Sequence, residues 1–106
     1  MLERFTIATF AEHQDETFRV YLDAADSGRF LDVTLVETTD LSPREGQRAA
    51  VGERRAPFSI VFRGPATPIL PQRIYRLEHA ALGSFDLFLV PIGPDERGLR
   101  YEAIFT

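Results

Sequence analysis

Apolar and polar residues alternate with a period of two along most of this chain, which is typical of half-buried β-strands. The stretch from Thr17 to Asp23 shows it clearly, because every second residue there is apolar. Turn signals rich in glycine, proline and acidic residues separate such stretches from one another. The pattern predicts strands over six runs: Thr17 to Asp23, Phe30 to Thr38, Pro57 to Gly64, Arg73 to His79, Ser84 to Ile92 and Leu99 to Phe105.

Only the N-terminal segment has the spacing of a helix. Thr6 is a candidate N-cap for one or two turns over Ile7 to Glu12, which place Ile7, Phe10 and Ala11 on one face. A helix this short needs a sheet on which to pack. We therefore predict one all-β domain over residues 1–106, a small antiparallel six-stranded barrel or sandwich with one short N-terminal helix.

The inward faces of the six runs together give the predicted core. It consists of Phe18, Val20, Leu22, Leu31, Val33, Leu35, Phe58, Ile60, Phe62, Tyr75, Leu77, Leu87, Leu89, Tyr101 and Phe105. The fifth run is apolar on both faces, so its strand is either central or covered on its outer face. Apolar residues also fall on the predicted outer faces, namely Val36, Val61, Phe88, Val90 and Ile104.

Two connections depart from short turns. The polar segment from Thr39 to Ala56 is long for a small domain, which indicates a functional or mobile loop. The segment from Gly64 to Gln72 contains three prolines and is predicted to be stiff and extended. Pro91 and Pro94 are predicted to end the fifth strand.

Composition narrows the classes of function. The formal net charge of −4 argues against nucleic acid as a partner. With no cysteine, disulfides and thiolate metal sites are excluded. No apolar stretch is long enough for a membrane span, and the N-terminus lacks the pattern of a signal peptide, so we expect a cytoplasmic protein without a membrane partner.

The residues that commonly carry catalysis are sparse. His79 and Asp86 flank one turn, so a histidine–carboxylate cluster is geometrically possible, but the simpler interpretation is that His79 ends a strand and caps the turn. His13 is interpreted as a surface residue, and the adjacent Asp15 and Glu16 as solvated. We expect a protein that is not an enzyme, with no catalytic residue, no metal and no cofactor.

Several motifs together resemble a family of small bacterial proteins known only as a domain of unknown function. They are Leu2-Glu3-Arg4, Phe10, Thr17-Phe18-Arg19-Val20, Arg63-Gly64-Pro65, Pro68, Leu70-Pro71-Gln72, Tyr75-Arg76-Leu77-Glu78-His79, Leu82-Gly83, Phe88-Leu89-Val90-Pro91-Ile92-Gly93-Pro94 and Arg100-Tyr101-Glu102-Ala103-Ile104-Phe105. The loop from Ser42 to Arg55 departs from the family by being longer and more charged. The resemblance implies no active site. It implies an accessory role beside phage-tail-collar-like fibre proteins.

The function that these observations favour is a protein-interaction or assembly-accessory module, with a protein partner or a second copy of the chain. Its candidate interface is made of Phe88, Val90, Ile104, Arg76 and Glu78. Two explanations of the apolar residues stay open, because the patch either binds a protein or is covered by the N-terminal helix. The alternative function is a barrel that binds a small ligand in its interior.

Overall fold

The alternating runs form a closed antiparallel barrel in the computed structural model, which describes residues 5–22, 29–41 and 57–105. Its elements are helix α1 (Ile7–Ala11) and strands β1 (Thr17–Tyr21), β2 (Phe30–Asp40), β3 (Phe58–Gly64), β4 (Arg73–His79), β5 (Gly83–Asp95) and β6 (Gly98–Phe105). Around the barrel the strand order is β1-β2-β3-β6-β5-β4, and β4 pairs with β1. The predicted six-stranded fold is confirmed, as a barrel rather than a sandwich.

Strand β5 continues beyond its predicted end. Its pairing with β4 stops at Leu89, opposite Arg73, and from Val90 onward it pairs with β6. Pro91 and Pro94 lie in this second part, where no strand pairs with β5 on the side that faces β4. Proline has no amide hydrogen to donate, but on an unpaired side none is required, so the prolines do not end the strand. A register shift between Pro91 and Gly93 accommodates them. The sequence pattern predicts that Thr39 and Asp40 begin the long loop, but they lie in β2, opposite Ser59 and Phe58. The part of this loop from Ser42 to Arg55 lies outside the described residues.

The inward side chains form one core, and thirteen of the fifteen predicted core residues are buried. The other two, Leu22 and Leu31, are half-buried and pack against its edge. The core also includes Phe10, Leu70, Phe85, Leu99 and Ala103.

Strand β3 is buried on both faces, so Val61 keeps its predicted outward direction but is buried, which corrects its assignment as an exposed residue. Val61 lies between Glu37 on β2 and Glu102 on β6, and these longer side chains share its face. Val36 is half-buried, because it falls at the register shift of β2 between Leu35 and Glu37.

Helix α1 closes one end of the barrel. The Thr6 hydroxyl accepts from the Thr9 amide at 3.4 Å, and the Thr9 hydroxyl accepts from the Thr6 amide at 3.0 Å, which confirms the predicted cap. This short helix presents Phe10, which is fully buried. The Phe10 ring centroid lies 5.3 Å from that of Phe105 and 6.0 Å from that of Phe58, so the helix is anchored by aromatic packing.

The segment after β3 closes the opposite end. Leu70 is buried, and its amide donates to the Tyr101 hydroxyl at 2.9 Å. The Tyr75 hydroxyl donates to the carbonyl oxygen of Pro71 at 2.5 Å. Both tyrosines therefore bury their rings and use their hydroxyls to satisfy the backbone of the covering segment.

The turn between β5 and β6 depends on one carboxylate. Asp95 accepts from the amides of Arg97 and Gly98 and from the guanidinium of Arg63, at 2.9 Å for the Nε–Oδ2 pair. Gly98 has no alternative, because a Cβ there would lie 2.1 Å from the carbonyl oxygen of Gly64. The Arg63 hydrogen bonds, followed by that from the Arg97 amide, lower the pKa of Asp95 to about 2.

Replacing Phe10 with alanine should lower the free energy of unfolding by about 3–5 kcal/mol, because it leaves a cavity among buried aromatic rings. Urea denaturation measures this loss. The control is Ile69→Ala, at a site 61% exposed, which should change stability by no more than about 0.5 kcal/mol. Equal effects in the two variants would contradict the anchoring role of the helix.

Asp95→Asn should lower stability near neutral pH, because the amide cannot form the ion pair with Arg63. The folded carboxyl has a pKa of about 2 against an ordinary value of 3.8, so its contribution is complete above roughly pH 4 and is lost as the pH falls towards 2. Denaturation of both proteins from pH 6 to pH 2 should show the difference shrinking across that interval. A difference that stays constant with pH would contradict the assignment.

Candidate functional site

Charged and aromatic side chains form an ordered row on the outer face of β1, β4 and β5. Glu78 lies opposite Arg19 and accepts from the Tyr21 hydroxyl at 2.6 Å. Arg76 lies opposite Asp86 and donates to it from Nε at 3.2 Å. Two of the predicted interface residues, Arg76 and Glu78, therefore share the outer face of β4, where each has an oppositely charged neighbour on the adjacent strand.

Apolar side chains occupy the adjacent row of the same face. Ile74 on β4 lies directly opposite Phe88 on β5, and these side chains are 65% and 47% exposed. Ile104 on β6 is 59% exposed, whereas Val90 is half-buried. We call Ile74, Phe88, Arg76 and Asp86 together the β4–β5 face.

Ile74 is the residue of this face that sequence reasoning missed. Its position two residues before Arg76 placed it on the outer side of the strand, but a single exposed isoleucine is common on protein surfaces and does not indicate a binding site. The strand register supplies the missing information by setting it against Phe88.

The helix does not cover this face. Phe10 packs against rings at the barrel end, and Phe88 and Ile104 stay exposed with the helix in place. Of the two explanations for the apolar residues, cover by α1 is therefore wrong.

A shallow open groove lies beside the seam between β1 and β4. Its lining includes Arg19, Asp32, Glu78 and His79. The Arg19 guanidinium already stacks 3.9 Å from the centre of the Phe30 ring and lies 3.9 Å from Glu78. The described lining residues hold two carboxylates, Asp32 and Glu78, against the Arg19 guanidinium, so the groove is a poor site for an anionic ligand.

Two histidines and a glutamate meet at the helical end of the barrel. Glu16 Oε1 accepts from His13 Nδ1 at 2.9 Å and from His79 Nε2 at 2.7 Å. The backbone brings them together, because the Asp15 amide donates to the Leu35 carbonyl oxygen at 2.7 Å and fixes the turn after α1 to β2. His13 is only 19% exposed and packs against the His79 ring, which corrects its assignment as a surface residue, whereas Glu16 stays 48% exposed, in line with its solvated assignment.

The hydrogen bonds of His79 define its tautomer. Its Nδ1 lies 3.0 Å from the Ala81 amide and 3.3 Å from the Leu82 amide. Amides only donate, so Nδ1 carries no proton and the proton of the neutral ring is on Nε2, which points to Glu16. The prediction that His79 caps the turn is confirmed.

The Nε2-protonated tautomer of His79 disfavours binding of a metal ion by this cluster. His13, Glu16 and His79 have ligand atoms within 4.8 Å of one another, which is close enough for a shared ion. A metal-bound His79 would need its proton on Nδ1, facing the two turn amides, whereas metal-ligating histidines normally donate that proton to an acceptor. The hydrogen bonds from His79 and then His13 instead lower the pKa of Glu16. The cluster is suited to holding the turn after α1 against the barrel.

Fold and surface together define a small closed β-barrel with filled ends and a mixed apolar and charged outer face. The family model described as Domain of unknown function (DUF6916) matches residues 5–105. The chain belongs to this family. Comparisons with curated proteins and with solved structures give no match. Within the described residues, no helix has the length and apolarity needed to cross a membrane.

His79 should be found as the Nε2-protonated tautomer by two-bond ¹H–¹⁵N NMR. His79→Asn keeps an acceptor near the position of Nδ1, whereas His79→Gln does not. We therefore expect His79→Gln to be less stable than His79→Asn by about 0.5–1.5 kcal/mol, because two partly buried turn amides lose their acceptor. An Nδ1-protonated ring, with a melting temperature that rises when zinc is added, would contradict this assignment.

Proposed function

We propose that this chain is a non-enzymatic protein-interaction module that docks its partner on the β4–β5 face. The observation that carries the proposal is the pair Ile74 and Phe88, two large apolar side chains that lie opposite each other and stay exposed. Ile104 on β6 adds a third exposed apolar side chain to the outside of the barrel. Exposed apolar groups clustered in this way commonly mark binding surfaces.

The inside of the barrel supports this proposal over ligand binding. Its axis is occupied by core side chains, with Phe10 at one end and Leu70 at the other. Small barrels fill their interior in this way, whereas ligand-binding barrels keep a cavity. The non-enzymatic assignment has a similar basis, because His79 and Glu16 are engaged with each other and with the turn after β4.

The class of partner follows from charge and from the family resemblance. A formal net charge of −4 disfavours nucleic acid, so the proposed partner is a protein, met in the cytoplasm. An accessory role in assembling a phage-tail-like fibre protein fits a small module that acts through its outer surface. The proposal therefore includes phage-tail-like fibre proteins as partner candidates.

Co-expression of the tagged chain with the products of its neighbouring genes tests the proposal. One product should co-purify with the native chain, and Phe88→Asp should lower the amount recovered by roughly tenfold or more, because it places a charge in the apolar contact. Circular dichroism and the melting temperature verify that the variant is folded.

The matched control is Ile69→Asp, which adds the same charge at an exposed isoleucine outside the β4–β5 face. It should leave recovery unchanged. If Phe88→Asp retains the partner as well as the native chain does, this face is not the docking surface. If nothing co-purifies and the chain shows no association of any kind, the proposed function is wrong.

A further inference from the structure

We infer that the β4–β5 face takes a second copy of this chain as its occupant. The inference rests on the proposed function, since it names the partner of the same surface. The inference is based on self-complementarity: when two copies of the face meet, apolar side chains contact apolar ones and each basic side chain contacts an acidic one.

The pattern consists of two adjacent cross-strand pairs. Ile74 lies opposite Phe88, and two residues along β4, Arg76 lies opposite Asp86. One row therefore holds two apolar side chains, and the next holds one positive and one negative side chain. In each pair the β4 and β5 members project from the same side of the sheet.

Two copies can meet face to face about a two-fold axis that runs parallel to the strands, between the copies and midway between β4 and β5. This axis places β4 of one copy over β5 of the other and keeps each row aligned with the same row of the other copy. Ile74 of one copy then meets Phe88 of the other, and Arg76 meets Asp86 of the other, each contact occurring twice. Such an isologous contact closes on itself, so it produces a dimer and not a filament.

The side chains are free to make these contacts. Arg76 and Asp86 are 61% and 58% exposed, and their ion pair within one chain is a surface pair that adds little stability. In the dimer the four charges form an alternating cluster, and the apolar row loses its contact with water. The outside of a barrel is convex, so the contact is small and the dimer is weak, of the kind formed by interfaces below about 1,200 Å².

Sedimentation velocity over a range of about 10 μM to 1 mM tests the inference, because weak dimers dissociate at micromolar to millimolar concentrations. The native chain should shift from monomer to dimer as its concentration rises. Phe88→Asp should weaken dimerisation by roughly tenfold or more. Ile69→Asp should dimerise as the native chain does.

Complementary charge variants test the geometry itself. In Arg76→Asp both members of the charged row are acidic, and in Asp86→Arg both are basic. Each variant alone should dimerise at least roughly tenfold more weakly than the native chain, because like charges face each other. An equimolar mixture should recover the dimer, since every acidic position of one variant then meets a basic position of the other.

The outcomes separate this inference from the proposed function. A native chain that stays monomeric throughout, or charge variants that dimerise as well as the native chain, would overturn the second copy as occupant. Capture of a fibre product through Phe88 would then leave the proposed function standing. Without dimer and without capture, both are wrong.

Discussion

The pairing of β1 with β4 is the interaction on which the rest of the structure depends. Three residue pairs form this seam, and they alternate between the two sides of the sheet. Val20 and Leu77 face inward and join the core, whereas Arg19 faces outward towards Glu78. Because the last strand in the spatial order meets the first, every described strand has a neighbour on each side, and the stretch of β5 beyond Leu89 that β4 does not pair carries Pro91 and Pro94, which cannot donate to an added strand. The closed seam supports the proposal that a partner is recognised by side chains on the outer face.

A closed sheet still has two ends, and this chain covers each with a different kind of contact. At one end Phe10 packs among aromatic rings, which is an apolar contact without directional requirements. At the other end Leu70 is held through a hydrogen bond to Tyr101, which satisfies a backbone amide as it is buried. Neither covering segment is a strand. The two covering segments outside the strands are therefore part of the core, although they contribute few of its residues.

The sequence predicts the strands well because a period of two is a local property. The sequence predicts poorly those features that depend on contacts between residues far apart along the chain. Glu16 and His79 are separated by 63 residues, and their contact exists only once the turn after α1 is fixed to β2. The burial of Val61 likewise depends on neighbours from β2 and β6. Ile74 became a site residue only when the register set it against Phe88. The alternation of residues predicts which side of a strand each residue is on, whereas the strand register determines which residues are neighbours on the surface.

The electrostatics of the outer face indicate which class of partner it suits. Arg76 is paired with Asp86, and Arg19 with Glu78, so covering the face leaves neither cation isolated from a counter-charge. Binding of nucleic acid or another polyanion is favoured by an excess of cations, whereas these two are each balanced by a carboxylate and the formal net charge is −4. The apolar row supplies favourable free energy when it leaves water. A surface with its charges balanced and its apolar groups exposed supports the proposal that its partner is another folded protein surface.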